Sequence, residues 1–233
     1  MSSSNSPQPP RLGAFFGTYL ARVVDVADPD GLGRVKIRLV STPPEIGDGD
    51  AALWARVAVP MAGSNRGTFF LPDVDDEVAI VFVGGDPRSP MVIGGLWNGS
   101  AQPPEQLGGS GTRIDRYTMV GKDGTRIAMV EENSGQAIIT LATPGAETIK
   151  IDQASGGKIT IEAGGSKITV DSQGISLETG SKVKIQASQV EVSAGMVKVD
   201  AAMSTFSGMI KCDVLKATTV IGSVYTPGAG NVW

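Results

Sequence analysis

Between residues 137 and 200 the chain repeats one short pattern, in which an apolar, a polar and an apolar residue follow one another. Because side chains alternate between the two faces of a strand, each triplet predicts a short strand with one apolar face. Glycines fall between the triplets, where tight corners between strands need positive φ angles. The triplets are Ile139–Leu141, Ile149–Ile151, Ile159–Ile161, Ile168–Val170, Ile175–Leu177, Val183–Ile185, Val190–Val192 and Val197–Val199.

Each repeat carries two inward aliphatic side chains and nothing in its own chain that would cover them. We therefore expect three copies to wrap around one axis as an intertwined triple-stranded β-helix, in which every strand pairs with strands of the other chains. Polar residues between and after the apolar ones, such as Thr169, are expected to face water. The predicted trimer core is Ile149, Ile151, Ile159, Ile161, Ile168, Val170, Ile175, Leu177, Val183, Ile185, Val190, Val192, Val197 and Val199.

Before the repeat, short apolar segments separated by turn signals predict an N-terminal barrel of five or six strands, one of them at Gly67–Leu71. The whole chain is thus predicted to be all-β. The expected domains are a flexible arm at 1–12, an OB-fold barrel at 13–99, a linker with transition strands at 100–136, the triple-stranded β-helix at 137–222, and a tip segment at 223–233.

The residue composition of the chain argues against most catalytic mechanisms. The chain of 233 residues has no histidine, one cysteine and a net charge of −4, so the commonest general base and metal ligand is missing. We expect no enzyme, no cofactor and no metal site, and no nucleic-acid partner for so acidic a chain. The N-terminus has no apolar signal region and no stretch is long enough to span a membrane, so we expect synthesis in the cytoplasm.

A family resemblance rests on the barrel segments Gly31–Arg38, Trp54–Val57 and Asp75–Phe82, and above all on Gly85–Gly99. Together with the repeat, these segments resemble the spikes of contractile injection systems, a family that includes phage baseplate assembly protein V and the VgrG proteins. The resemblance implies a homotrimeric structural spike that sits on a trimeric hub and touches the target membrane only while piercing it. Since few residues precede the barrel, we expect the hub to be a separate chain.

In the resembling family a conical PAAR-repeat protein caps the blunt end of the needle. The resemblance therefore implies a PAAR partner at the C-terminus, and we expect it to bind the residues Tyr225, Pro227, Val232 and Trp233. A competing interpretation is that these residues fold back and plug the trimer's own end.

Other functions stay open at this point. The repeat alone also fits a non-injecting trimeric adhesin or tail fibre, and less well a polysaccharide-degrading β-helix enzyme. An OB barrel could bind nucleic acid if its aromatic residues were exposed for stacking, but we expect Trp54, Phe69, Phe70 and Phe82 to pack in the core. The acidic residues Asp73, Asp75, Asp76 and Glu77 could bind a divalent cation, although a solvated turn before a strand is the preferred interpretation.

Overall fold

The computed structural model describes residues 15–40, 52–109, 111–154 and 156–224. Within them the regular structure consists of strands, apart from one short 3-10 turn at Val83–Gly85. The all-β prediction is confirmed. The predicted arm at 1–12 and the predicted tip-binding residues from Tyr225 to Trp233 lie outside the described residues.

The first part of the chain forms a closed barrel with strand order β1-β2-β3-β7-β6. Neighbouring strands are antiparallel except for β3 and β7, which run parallel. A closed five-stranded barrel confirms the predicted OB-type architecture. The strands up to this point are β1 (Thr18–Asp25), β2 (Val35–Leu39), β3 (Ala52–Val57), β4 (Ala62–Gly63), β5 (Arg66–Gly67), β6 (Glu77–Phe82) and β7 (Pro90–Leu96).

The barrel has a complete hydrophobic core of its own. Alternate residues of its strands point inward and are almost fully buried, and the rings of Phe15, Tyr19 and Phe82 pack at one end with centroids 5.4–6.0 Å apart. This part of the chain therefore needs no partner to bury its core. The fully buried side chains with the largest volumes are Ile37, Ile80, Val23, Val35, Val78 and Val92.

The predicted strand at Gly67–Leu71 is wrong. In its place β4 and β5 form a small hairpin that closes through Asn65, whose φ is +52°. Gly67 has φ +147°, and a Cβ there would lie 2.5 Å from the carbonyl oxygen of Met61. The backbone therefore turns at this glycine, and the next amide, of Thr68, donates to the same Met61 oxygen at 2.9 Å.

The second part of the chain forms a seven-stranded sheet in the simple order β8 to β14. The predicted domain division at residue 137 falls inside this sheet, because β9 pairs with β10, the first strand of the repeat, and β8 pairs with β9. The strands are β8 (Arg116–Val120), β9 (Arg126–Val130), β10 (Ile138–Ala142), β11 (Thr148–Asp152), β12 (Lys158–Ala163), β13 (Ser166–Asp171) and β14 (Gly174–Thr179).

Each strand of the seven-stranded sheet runs antiparallel to the next strand of the same chain. The expectation that every strand of the repeat pairs with other chains is therefore wrong for β10 to β14. The reason lies in the connections: Gly164 and Gly165, for example, have φ angles of +54° and +75°, and two such residues form the tight turn of a two-residue hairpin. The chain reverses at these turns and pairs with itself.

Residues from Lys184 onward belong to a second unit of the chain. Its described residues form no strand, and the backbone around the boundary bends at Ser181, Ser188, Gly195 and Ala202, seven residues apart. One predicted triplet lies between each two successive bends. The spacing of segments and corners thus agrees with the predicted repeat, although the segments have no ladder partner in the described part of their own chain.

Candidate functional site

One face of the seven-stranded sheet carries two unbroken columns of apolar side chains, which we call the apolar face. The register places Ile139 opposite Ile151, and Ile151 opposite Ile159, and so on across every strand pair. One column consists of Tyr117, Met129, Ile139, Ile151, Ile159, Val170 and Ile175, and the other of Met119, Ile127, Leu141, Ile149, Ile161, Ile168 and Leu177.

None of the described residues of the same chain covers the apolar face. Ile161 in the middle of the sheet is 40% exposed, and Ile175 on the last strand is 79% exposed. On the opposite face, by contrast, Thr169 and Asp152 are only 8% exposed. A sheet that leaves its aliphatic face in water while its polar face is half-buried has the distribution expected of one layer of a larger assembly.

The structure brings together the first part of the predicted trimer core. The predicted residues from Ile149 to Leu177 all lie in the two columns. The predicted core residues from Val183 to Val199 lie beyond the sheet in exposed, extended backbone.

Sequence reasoning missed four members of the apolar face, Tyr117, Met119, Ile127 and Met129. The segment Tyr117–Met119 has the apolar, polar, apolar order of the repeat, and Ile127–Met129 has the same two apolar positions on either side of an alanine. These segments carry aromatic and sulfur-containing side chains where the repeat has Ile and Val, and this difference in residue type made their similarity to the repeat difficult to recognise. The alternation itself was the signal that could have found them.

The opposite, polar face is crossed by ion pairs. Lys167 on β13 contacts Glu162 on β12 at 2.8 Å, as the predicted pairing of lysines and carboxylates across strands requires. On β11, Lys150 contacts Asp152 at 2.7 Å. Thr169 lies on the polar face, as expected. Longer charged side chains surround the shorter threonines on this face, so the expectation that Thr169 is exposed to water is wrong.

The segment before β8 is fixed to the polar face through one carboxylate, an arrangement we call the Glu105 clamp. Glu105 accepts hydrogen bonds from Thr118 at 2.9 Å, from Arg116 at 3.3 Å, and from Arg126. Partial burial would raise the pKa of the Glu105 carboxyl, but the hydrogen bonds from Thr118 and Arg126 outweigh it and hold the pKa below its usual range. The predicted linker is therefore tied to the sheet.

A second contact joins the barrel to the seven-stranded sheet. Lys122, in the turn between β8 and β9, forms an ion pair with Asp73 in the loop before β6. Asp76 accepts from the backbone amide of Asp73 at 2.8 Å, and Glu77 accepts from Asn98 at 3.2 Å. The acidic loop is thus a hydrogen-bonded turn that contacts the sheet, and among described residues no acidic cluster has the arrangement of a metal site.

The aromatic residues of the barrel are placed in two different ways. Phe82 is buried in the core, as predicted, and Trp54 is half-buried beneath Arg34 and Lys36. Phe69 and Phe70 are 82% and 63% exposed, so their predicted core positions are wrong. They follow the β4–β5 hairpin, in a part of the chain that forms no strand.

The described residues contain no helix that is long and apolar enough to cross a membrane.

A self-sufficient barrel followed by a sheet with an uncovered apolar face defines an all-β protein that associates through its sheet. Comparison with known families makes this class specific. Residues 19–97 match the injector OB domain of type VI secretion systems and phage baseplates, and residues 138–202 match the phage baseplate V C-terminal trimerisation domain. The chain belongs to this family of injection-machine spike proteins.

Curated relatives of the chain include type VI secretion system spike proteins and a VgrG toxin. The type VI secretion system spike protein VgrG4b of Pseudomonas aeruginosa is 29% identical over 56% of this chain and 16% of its own length. Spike protein VgrG5 of the same organism is 29% identical over 56% of this chain and 17% of its own. The actin cross-linking toxin VgrG1 of Vibrio cholerae is 25% identical over 84% of this chain and 18% of its own. The chain thus spans less than a fifth of the length of these relatives.

The Glu105 clamp can be tested by removing its carboxylate. In Glu105→Ala, three side-chain donors on β8 and β9 lose their shared acceptor, at a local cost of about 1–3 kcal/mol. We expect amide hydrogen exchange in residues 100–112 to become roughly ten-fold faster, measured by mass spectrometry. Glu131→Ala is the matched control, because it is exposed and its backbone oxygen is what Arg113 contacts. Equal exchange in both variants would contradict the clamp.

Proposed function

We propose that this chain is the central structural spike of a contractile injection machine and works as a homotrimer. The observation that carries the proposal is the apolar face, two seven-residue columns that no described residue of the same chain covers. Three such sheets packed around one axis bury all three faces in a triangular prism. The match of residues 138–202 to a trimerisation domain supports three copies over two.

The driving force for association is ample. Fully burying an aliphatic side chain contributes ~1.5–3 kcal/mol, so covering a side chain that is already partly buried contributes about 1 kcal/mol. Fourteen such positions supply on the order of 10 kcal/mol per chain before the entropic cost of association. A monomer with this face in water would aggregate.

The barrel suits the other end of the proposed spike. We infer that its trimer sits on a trimeric hub and that the sheath of the machine supplies the force. Exposed apolar side chains at Leu32, Met61, Phe69 and Phe70 offer the barrel a surface for protein partners. The proposed role is mechanical and needs no catalytic group, and contact with the target membrane occurs only during piercing.

A spike must transmit axial force from the barrel to the needle, so the connection between them has to be rigid. The Glu105 clamp fixes the segment that follows the barrel to the sheet, and the ion pair between Asp73 and Lys122 joins the barrel to the sheet directly. Segment 100–112, whose composition resembles a flexible linker, is thereby held against β8 and β9. This favours a load-bearing spike over a jointed adhesin stalk.

Placing one charge on the apolar face tests the proposed trimer. Ile161→Asp would bury three carboxylates near the axis, each without a partner, at a cost of several kcal/mol per chain. We expect loss of the trimer, measured by light scattering, and loss of incorporation into contractile particles purified from the native host. Particles that lack the spike should still contract but should fail to penetrate target cells.

Thr160→Asp is the matched control, since Thr160 is the neighbouring residue on the polar face and lies opposite Lys150. This variant should assemble and enter particles like the unmodified chain. Equal loss in both variants would contradict the assignment of the two faces. A trimer of Ile161→Asp as stable as the unmodified one would contradict the proposed interface.

We also propose that a conical PAAR-repeat protein binds the C-terminal end of the trimer through Tyr225, Pro227, Val232 and Trp233. The apolar residues of this segment, in three copies, would form a small patch on a three-fold end. Support comes from the family to which the chain belongs and from this composition. The chain has no histidine with which to build a metal-stabilised point itself.

Deleting residues 225–233 separates a binding segment from a plug of the trimer's own end. If the segment binds a PAAR protein, the truncated chain should remain a trimer by light scattering and should no longer co-purify with that protein. The full-length chain is the control for both measurements. Loss of the trimer, or undiminished co-purification, would contradict the proposed tip site.

A further inference from the structure

The surface of the barrel contains a groove between the β1–β2 loop, the end of β3 and the β4–β5 hairpin, with a volume of about 710 Å³. Three apolar side chains that line the groove are mostly exposed, Leu32 at 70%, Met61 at 52% and Phe69 at 82%. Two arginines, Arg56 and Arg66, also line it, and none of the described lining residues is acidic. The groove is therefore positively charged, although the net charge of the chain is −4.

The two arginines of the groove have no ionic partner. Within the part of the chain that the structure describes, neither Arg56 nor Arg66 makes an ion pair or a side-chain hydrogen bond. By contrast, Arg88 on the same barrel is paired with Asp86 at 2.8 Å. Unpaired guanidinium groups beside exposed apolar side chains suit a polypeptide segment in which an apolar residue lies next to a carboxylate.

Both walls of the groove are held in place by hydrogen bonds. Asp28 accepts from the backbone amides of Leu32 at 2.9 Å and Arg34 at 3.1 Å, and from the guanidinium of Arg34 at 2.6 Å. On the hairpin side, the amide of Thr68 donates to the carbonyl oxygen of Met61 at 2.9 Å. The exposed apolar side chains thus stand on fixed backbone, which lowers the entropic cost of binding a partner.

A segment with the complementary chemistry lies on the same chain, in the turn before β6. Val74 is 43% exposed and lies between two aspartates. Asp73 is paired with Lys122, and Asp76 accepts from the amide of Asp73. The carboxylate of Asp75 is exposed and has no hydrogen bond or ion pair with any described residue. The turn therefore presents a valine next to an unpaired carboxylate.

The turn and the groove lie on different sides of the barrel. The turn is attached to β1, because the amide of Asp75 donates to the carbonyl oxygen of Val23 at 2.9 Å and the amide of Val23 donates to Asp76 at 3.0 Å. The groove instead adjoins the start of β2 and the end of β3, which follow β1 around the barrel. Neither Val74 nor Asp75 lines the groove of its own chain. A contact between turn and groove therefore joins two copies.

We propose that the turn at Val74 and Asp75 of each barrel docks in the groove of the next copy, with the valine on the apolar side chains and the carboxylate beside the two arginines. The inference rests on the proposed homotrimer and deepens it. A contact between two different surfaces closes into a ring when the copies are related by a three-fold axis. Because one needle tethers the three barrels, a high effective concentration favours even a small contact.

The ring fixes the orientation of the three barrels relative to one another. Each barrel buries its own core, so core packing alone leaves the barrels free to turn independently. With the turn of each copy held in the groove of the next, the three barrels form a single rigid three-fold body.

A carbodiimide cross-linker tests the contact, since it joins a lysine amine only to a carboxylate in direct contact. Arg56→Lys and Arg66→Lys, made separately, keep the charge of the groove and supply the amine. In the purified full-length trimer, at least one of them should give covalent dimers and trimers on denaturing gels that the unmodified chain does not give. Peptide mass spectrometry should locate the bond between residue 56 or 66 and Asp75. The native pair of Lys122 with Asp73 lies within one chain and is the internal control for the reaction.

Adding Asp75→Asn to the variant that forms the bond gives the matched control. Asparagine has the shape of aspartate and tolerates the φ of +73° at this position. The control should remain a trimer by light scattering and should lose the new bond. Raising the salt concentration to 1 M, where the Debye length is about 3 Å, should lower the yield of the new bond roughly ten-fold.

A trimer in which neither lysine variant forms a bond between copies would overturn the ring, and so would a bond to Asp75 within one chain or an undiminished yield after Asp75→Asn. In native particles, a bond from the groove to a different protein in place of Asp75 would overturn it as well. Light scattering before the reaction separates these results from a failure of the proposed function. An unmodified chain that is monomeric would overturn the homotrimer and the ring together.

Discussion

The apolar face of the seven-stranded sheet needs a second layer to cover it, and the rest of the structure depends on how this need is met. A sheet with one apolar face is stable only when a second layer covers that face. The barrel meets this requirement by closing on itself, because its inward side chains cover one another. The sheet does not do so, since fourteen apolar side chains point to one side and the part of the chain that the structure describes provides no layer against them.

Association of identical copies resolves this requirement without any additional sequence. In the proposed trimer three sheets supply one another's second layer, and the polar faces, crossed by pairs such as Lys167 with Glu162, remain toward water. Such exposed ion pairs contribute at most about 1 kcal/mol each, so their main effect is solubility. The Glu105 clamp then ties the stable barrel to a sheet whose stability comes from the assembly.

Strand alternation predicted much of this arrangement. The order apolar, polar, apolar identified the correct face for every residue from Ile139 to Leu177, because the period of a strand allows only two faces. Alternation also extends to Tyr117 and Met129, which were missed because their side chains differ in type from the repeat. The barrel was predictable from its turns, except at Gly67, where a close backbone contact ends the expected strand.

The partner of each strand could not be predicted from the triplets, since a triplet looks the same whether its neighbour belongs to its own chain or to another. That information lies in the turn conformations. The pair Gly164 and Gly165 forms a two-residue hairpin and was interpreted only as a corner, whereas Gly180 makes no such turn. The Glu105 clamp depends on contacts to residues 11 to 21 positions later, which no local pattern reveals.

The most direct test of the central claim is the mass of the assembled protein. Native mass spectrometry of the full-length chain at low micromolar concentration should give one species at three times the chain mass of 24.0 kDa. The species should persist on dilution, because the uncovered apolar face leaves no stable monomer to return to. A soluble monomer that is well folded across residues 116–179, or a dimer, would contradict the account.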